Sequence, residues 1–199
     1  MIRIEKVKPD YISEITIIHL KSFKDFFLSS LGSSFLKLYY SSCIKSKKCI
    51  ALCAIDNEGK ILGFAFGSKH SKGFHKEVII KNVIPFFIKG CLILFSRPKA
   101  ILRIYKNTNK SKSQNDDGNY AELLSIGVLP EEKGRGIGKL LLHEFEKKIT
   151  NENVNKITLT TDANENESVL RFYKSSGYKE FYTFITYPKR TMIKLIKNL

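Results

Sequence analysis

The residues best suited to chemistry lie in a short glycine-rich segment, residues 133–139, which reads Lys-Gly-Arg-Gly-Ile-Gly-Lys. Its glycines have no side chains, so backbone N–H groups can approach an anion closely, and its cations add positive charge around the same point. A helix that begins within the segment would add its unpaired N-terminal amides and its dipole. The pattern therefore indicates a phosphate site. The residues concerned are Lys133, Gly134, Arg135, Gly136, Gly138 and Lys139.

Two familiar phosphate loops do not fit this segment. A P-loop ends in Gly-Lys followed by Ser or Thr, whereas Lys139 is followed by Leu140. The alternating glycines also lack the spacing of the dinucleotide-binding fingerprint. Glycines alone are compatible with a plain loop in which they only permit a tight turn, so the phosphate site needs support from the surrounding elements.

A strand and a helix are predicted to position the segment. Residues 120–128 form a compact apolar run, and Pro130, which cannot donate to a central ladder, ends it. After the glycines, apolar residues recur with helical spacing and charges occupy the opposite face. These apolar residues are Ile137, Leu140, Leu141, Phe145 and Ile149. The unit is therefore a buried strand, a glycine loop and a helix.

A second strand and helix follow. Residues 157–162, Ile-Thr-Leu-Thr-Thr-Asp, have the composition of a strand. Residues 166–178 then indicate a helix closed by Gly177. A second strand, turn and helix are thus predicted after the helix that follows the glycine loop.

Together these stretches resemble the GNAT superfamily of acyl-CoA-dependent N-acetyltransferases. The family's pyrophosphate loop, Gln/Arg-x-x-Gly-x-Gly/Ala, corresponds to residues 133–138, with Lys133 at the first position. Its later signature, Asn-x-x-Ala-x-x-x-Tyr and then x-x-x-Gly-Phe/Tyr, corresponds to residues 166–178, with Val169 in place of Ala. Lys133 keeps a donor but loses the planar side-chain geometry. The resemblance extends over about residues 119–187.

The resemblance implies an α/β fold with a mixed, mostly antiparallel central sheet of about seven strands flanked by helices. It implies acetyl-CoA as the acyl donor, with the pyrophosphate held at residues 133–139 and the pantetheine arm along the backbone at the end of the strand. The residues expected to bind this donor are Ile126, Gly127, Val128, Lys133, Gly134, Arg135, Gly136, Ile137, Gly138, Lys139, Asn166 and Tyr173.

The resemblance also implies two catalytic residues. Tyr173 occupies the position of the acid that protonates the leaving thiolate, and a phenol with a pKa of ~10 stays protonated at neutral pH. The alternative is an aromatic ring that only packs on the donor. Glu122 corresponds to the general base of the histone-acetylating members, and alternation places it on the face of Leu124, Ile126 and Val128. A structural carboxylate is the alternative for Glu122.

Composition bounds the remaining possibilities. The 199 residues, of which 43% are hydrophobic, fit a single domain over 1–199. The net charge is +15, but the lysines are scattered, so a charged surface is favoured and no nucleic-acid partner is expected. Four dispersed cysteines indicate free thiols in a reducing compartment, with no metal site. The charged start of the chain does not resemble a signal peptide, so a cytoplasmic location is expected. The four histidines form no cluster and are expected to be packing or surface residues.

The first part of the chain is predicted to form a strand at 2–7, a helix at 10–23, and a second helix capped by Ser33 and Ser34. Strands follow at 49–55 and 60–67, joined by a hairpin turn over 56–59. Two strands at 178–187 and 191–196 would close the sheet. In the family outline, Phe26 and Phe27 would lie beside the acceptor.

Between the third strand and the core strand the chain carries an insertion, at about residues 70–118. Residues 78–95 are strongly apolar, but Lys81, Lys89 and Pro85 interrupt them, so no charge-free span approaches the ~20 residues of a transmembrane helix. One or two helices are predicted, with a second after residues 97–98, and then a polar loop at 106–118. The insertion could be core packing, a wall of the acceptor site, the face of a homodimer, or an interfacial membrane helix. Packing combined with an acceptor wall is favoured.

The functional prediction is an acetyltransferase that modifies an amine of a small-molecule acceptor, with an amino sugar as the favoured class. A protein or peptide N-acetyltransferase is the alternative with the same fold. A non-catalytic acyl-CoA sensor or a basic nucleic-acid-binding module is the alternative from another class.

Overall fold

The strands form one seven-stranded sheet in the order β1-β2-β3-β4-β5-β7-β6. The computed structural model describes residues 1–24, 26–96 and 116–199. Neighbouring strands are antiparallel except β4 and β5, which are parallel. The predicted mixed sheet is therefore confirmed. The strands are β1 (Arg3–Lys6), β2 (Cys49–Ile55), β3 (Ile61–Ser68), β4 (Ala121–Val128), β5 (Lys156–Asp162), β6 (Lys179–Thr186) and β7 (Arg190–Asn198).

Helices cover both faces of this sheet. They are α1 (Ile12–Ser22), α2 (Phe27–Ser30), α3 (Ser33–Cys43), α4 (Phe74–Lys81), α5 (Val83–Ser96), α6 (Ile137–Thr150) and α7 (Glu167–Ser175). Successive residues of β2 point to opposite faces, so Leu52 belongs to the core under α6, whereas Cys53 belongs to the core under α1 and α3. Every residue of β3 is buried because helices cover this central strand from both sides.

The local predictions agree closely with these elements, with one correction. The helix predicted to be capped by Ser33 and Ser34 is capped by Gly32, whose φ of 89° is in the left-handed region, and it has no side-chain cap hydrogen bond. Ser33 and Ser34 instead form its first turn. The residues between the two predicted helices contain the short helix α2.

A bulge in β4 changes which face its side chains occupy. The pairing with β3 moves from Phe66–Ser125 to Gly67–Leu123, so Leu124 is an extra residue. Leu123 packs in the core under α6, and Ile126 packs against the same core, although their spacing is three residues. The expectation that Glu122 shares a face with Ile126 and Val128 is therefore wrong. Strict alternation fails wherever one strand carries an unpaired residue.

The bulge lies where β4 separates from β5. Their parallel pairing covers only residues 121–123 of β4 and 157–159 of β5. Beyond these residues the two strands diverge, and the second half of β4 borders an open gap in the sheet. This gap contains the candidate site.

The insertion between β3 and β4 contains α4 and α5 within its described part. Pro85 is the third residue of α5, a position in the first turn where a helix N–H has no intrahelical acceptor, so the proline does not break the helix. The helix predicted after residues 97–98 lies outside the described residues, as does most of the predicted polar loop. Within the described ranges, no helix combines the length and apolar character needed to cross a bilayer.

Candidate active site

A groove of about 550 Å³ lies between the end of β4 and the start of α6. The backbone of β4, the glycine loop and one side of α7 form its walls. Of the residues expected to bind the donor, the groove brings together Ile126, Gly127, Val128, Lys133, Gly134, Gly136, Ile137, Gly138, Lys139 and Tyr173. Side chains from distant parts of the sequence thus meet at one place.

The glycine loop ends at the N-terminus of α6. Gly136 is the N-cap residue, and its φ of 77° is one that residues with a side chain rarely adopt. A Cβ added at Gly134 or Gly136 would meet no protein atom within 4 Å. The first amides of α6 therefore adjoin open space, as an anion site at a helix N-terminus requires. These features fit a pyrophosphate group.

The cations of the loop are placed differently from one another. Lys133 and Lys139 line the groove. Arg135 is not among the lining residues, and its guanidinium donates to the carboxylate of Glu132. The guanidinium of Arg135 is therefore paired with Glu132, and Arg135 supports the loop in this structure.

A second space, a cavity of about 350 Å³, continues from the groove into the gap between β4 and β5. Ile126, Val169 and Tyr173 line both spaces and mark their junction. Aromatic side chains from α1, α2 and the segment between them form one wall, and polar groups of β5 form another. The lining residues include His19, Phe23, Phe26, Phe27, Thr160, Thr161 and Asn166.

Tyr173 lies at the junction of groove and cavity. It projects from α7, is almost fully buried, and packs edge-on against Tyr178 with a ring-centroid distance of 5.6 Å. Burial raises the pKa of Tyr173 above the ordinary value of a phenol, because the phenolate is poorly solvated there. The hydroxyl thus stays protonated across the physiological pH range and can donate a proton.

Asn166 lies on the cavity side of the junction. Its Nδ2 donates to Thr161 Oγ1 at 2.9 Å and to the carbonyl oxygen of Asp162 at 3.0 Å. These bonds tie the start of α7 to the end of β5. Asn166 therefore fixes the helix that carries Tyr173, and it lines the cavity and not the groove.

Glu122 lies beside this cavity and is not among its lining residues. Ser71 Oγ donates to its carboxylate, and Lys194 Nζ lies 3.9 Å from Oε1. Lys194 also reaches Asp116, which accepts hydrogen bonds from Tyr120 and Tyr182. Glu122 thus belongs to a buried polar cluster that joins β4, β6 and β7.

The cavity contains one polar group that sequence reasoning assigned to packing. His19 on α1 is buried, its Nδ1 lies 2.7 Å from Tyr40 Oη, and its Nε2 has no hydrogen-bond partner among the described residues. Burial lowers its pKa to about 4, so the imidazole is neutral at physiological pH. The sequence contains one sign that His19 is buried, because it lies four residues after Ile15 on the same face of α1.

The expected acceptor wall from the insertion is not present in its described part. Among the described side chains of residues 78–93, none contributes to the lining of the cavity. Phe86 of α5 instead packs against Phe35 of α3, with ring centroids 5.8 Å apart. The far end of the cavity adjoins Phe26, whose ring lies 4.4 Å from the guanidinium carbon of Arg190. Arg190 is in turn held by Asp162.

Comparison with known proteins agrees with this geometry. The sequence matches the model of the acetyltransferase (GNAT) family over residues 18–178. No curated protein sequence matches the chain. Similar solved structures include the ribosomal-protein-S18-alanine N-acetyltransferase from Escherichia coli, with a TM-score of 0.64 and 16% identity, over 100% of this chain and 94% of that chain.

Two further structures show the same fold. The PaiA N-acetyltransferase from Thermoplasma acidophilum, solved with coenzyme A, has a TM-score of 0.61 and 16% identity, over 100% of this chain and 99% of that one. A spermidine N-acetyltransferase chimera from Vibrio cholerae and hSSAT has a TM-score of 0.64 and 13% identity, over 99% of this chain and 95% of that one. Because the family model spans most of the sequence, the chain belongs to the GNAT family of acetyltransferases.

Proposed function

We propose that this acetyltransferase moves the acetyl group of acetyl-CoA to an amine of a small metabolite, with an amino sugar as the acceptor class. One observation carries the proposal. A groove lined by the glycine loop, Lys133 and Lys139 leads directly into a small cavity, and Tyr173 lies where they meet. Donor and acceptor can thus approach from opposite sides of the gap between β4 and β5.

The donor is proposed to lie along the groove. Its pyrophosphate accepts hydrogen bonds from the amides at the start of α6, with Lys133 and Lys139 nearby. The pantetheine arm follows the backbone of residues 126–128, which borders the gap. The thioester then reaches the junction beside Tyr173.

The reaction forms one bond and breaks one. The neutral acceptor amine attacks the thioester carbon, the C–S bond breaks, and the thiolate receives a proton from the Tyr173 hydroxyl. A backbone amide of β4 near Ile126 stabilises the developing charge on the thioester oxygen. The proton lost by the amine passes to water, and water returns a proton to the Tyr173 phenolate after the thiol has formed.

The shape of the cavity favours a small acceptor. Its volume of about 350 Å³ is at the lower end of the range for small-molecule sites, ~300–1,000 Å³. Phe26 and Phe27 offer apolar surface to the face of a sugar ring, whereas Thr160, Thr161 and Asn166 offer polar groups to hydroxyls. A peptide would need an extended groove for its backbone.

Glu122 is proposed to support the site and not to remove the amine proton. Its carboxylate accepts a hydrogen bond from Ser71 and faces Lys194, and neighbouring residues of β4 separate it from the cavity. The carboxylate is thus engaged by other side chains of the protein and does not line the cavity proposed for the acceptor. Glu122→Gln is expected to lower the free energy of unfolding, measured by urea unfolding. The kcat of acetylation, measured by steady-state kinetics, should change little.

A screen of acceptors tests the proposal. The purified protein is mixed with acetyl-CoA and a panel of amino sugars, polyamines, amino acids and short peptides, and the released thiol is measured. The highest kcat/KM is expected for an amino sugar. A higher kcat/KM for a peptide would contradict the acceptor class. Binding of acetyl-CoA with neither acetylation of any amine nor hydrolysis of the thioester would instead indicate a sensor.

A further inference from the structure

The outer side of α5 presents an apolar face to solvent. We define this apolar face by Val83, Ile84, Phe87 and Ile88, together with Ile80 at the end of α4. Ile84 is 71% exposed and Phe87 is 70% exposed, values that are unusual for such large apolar side chains. Within α5 these residues are spaced by one, three and four positions and therefore form one side of the helix.

The inner side of α5 already has its packing partners. Phe86 packs against Phe35, and Ile93 packs with Leu31 in a small separate core. The helix is therefore anchored to the molecule by one side, and the apolar face is directed away from the core. A contiguous exposed apolar surface of this kind marks an interaction site.

The charge of the sequence that contains α5 indicates what the apolar face contacts. Between Glu77 and Asp116 the sequence contains no acidic residue. The basic residues in the same interval are Lys81, Lys89, Arg97, Lys99, Arg103, Lys106, Lys110 and Lys112. The whole chain has a net charge of +15. An apolar helix face within a basic segment is the combination that suits a membrane with anionic headgroups.

A second copy of this chain suits the apolar face less well. In a twofold-symmetric contact the same patch meets itself, so two chains that each carry a net charge of +15 would be brought together. Like charges would then repel where apolar surface must approach closely. An anionic surface reverses the sign of this interaction, because every added cation strengthens the attraction.

We propose that the apolar face binds the surface of a bilayer that contains anionic phospholipid, with α5 lying in the plane of the interface. The helix has 14 residues and is ~21 Å long, too short to cross the ~30 Å hydrocarbon core. Its apolar side chains enter the boundary of headgroups and acyl chains while the rest of the protein stays in water. None of the residues of the apolar face lines the groove or the cavity, so this inference is independent of the proposed acceptor.

The absence of tryptophan from the sequence allows a direct test. Phe87→Trp places a single reporter in the apolar face, and Ile185→Trp places the matched reporter on β6, where Ile185 is also exposed. Vesicles of phosphatidylcholine and phosphatidylglycerol at a ratio of ~2:1 are added at low salt. We expect a blue shift of Phe87→Trp emission and its quenching by brominated acyl chains. Ile185→Trp should show neither change.

Three results would overturn the proposal. Phe87→Trp emission unaffected by the vesicles would show that the apolar face does not enter a bilayer. Equal binding to pure phosphatidylcholine would show that anionic headgroups are not recognised. A blue shift that appears without vesicles and grows with protein concentration would show that a second copy covers the face.

Vesicle flotation of the unmodified protein provides an independent measurement. Ile84→Gln combined with Phe87→Gln removes apolar surface without changing charge, and should lower the partition coefficient by roughly tenfold or more. Ile185→Gln is the matched control and should bind as the unmodified protein does. Equal binding of all three would mean that charge alone attracts the protein, which would contradict a role for the apolar face.

Discussion

Substitution of Tyr173 tests the proposed chemistry most directly. Tyr173→Phe removes the hydroxyl and keeps the ring that lines groove and cavity. The loss of a general acid should lower kcat by ~10²–10⁴-fold, while the Kd for acetyl-CoA changes little. Because burial raises the pKa of Tyr173, the acid form should persist as pH rises, so the unmodified enzyme should show no alkaline loss of rate up to about pH 10 from this group.

Tyr178→Phe is the matched control for this variant. Tyr178 packs against Tyr173 but lines neither space, so loss of its hydroxyl should leave the rate of single-turnover acetyl transfer unchanged. Equal rates for Tyr173→Phe and the unmodified enzyme would assign Tyr173 to packing and remove it from the proton transfer.

Two phenylalanines allow the acceptor side and the donor side to be tested separately. Phe27 lines only the cavity, and Phe172 lines only the groove. Phe27→Ala should therefore raise the KM of the acceptor more than that of acetyl-CoA, and Phe172→Ala should do the opposite. Steady-state kinetics with each substrate varied in turn provides the comparison. If each variant changes the KM of the acceptor and the KM of acetyl-CoA equally, the two spaces do not bind separate substrates.

At the scale of elements, the glycine loop and α6 form the proposed pyrophosphate site. Acetyl-CoA that binds only the folded protein should raise its melting temperature by mass action. Gly136→Asp places a side chain and a negative charge at the N-terminus of α6, where the phosphates would lie. The variant should therefore lose most of this stabilisation in a thermal-shift measurement.

Gly59→Asp is the matched control. Gly59 has a φ of 86°, against 77° for Gly136, and a Cβ added at either residue meets no protein atom within 4 Å. Both substitutions thus place a side chain and a negative charge at a residue of positive φ, but Gly59 lies in the β2–β3 hairpin. If Gly136→Asp folds and is still stabilised by acetyl-CoA as strongly as Gly59→Asp, the loop does not bind the pyrophosphate.

At the scale of the whole molecule, the buried His19 links stability to pH. Its pKa is lowered to about 4 in the fold, compared with ~6.5 in an unfolded chain, so the unfolded state binds the proton more readily. The stabilisation from neutral His19 is complete above pH ~6.5 and is lost as pH falls toward 4, by ~3 kcal/mol in total. Urea unfolding at a series of pH values measures this loss.

His19→Gln isolates that contribution. The variant keeps a polar group of similar length, and its free energy of unfolding should fall less steeply between pH 6.5 and 4 than that of the unmodified protein. His75, whose pKa is also lowered by burial, is present in both proteins and does not alter the difference. Parallel pH dependences for the two proteins would show that the fold does not lower the pKa of His19.

The sequence by itself determined the elements that depend on local interactions. The strand before the glycines, the helix after them and the helix closed by Gly177 follow from apolar periodicity and from turn chemistry, which act over a few residues. The family follows from the same segments. Most of the groove could therefore be predicted, because its backbone amides and glycines lie within one continuous stretch.

Only the tertiary structure decided which side chains meet across the sheet. The bulge at Leu124 depends on how β4 pairs with β3, and it reverses the face that alternation assigns to Glu122. The partners of Glu122 and Arg135, the position of His19 in the cavity and the exposure of the outer side of α5 likewise depend on contacts between segments far apart in the chain. Periodicity shows that a helix has an apolar side, but it does not show whether the protein or its surroundings cover that side.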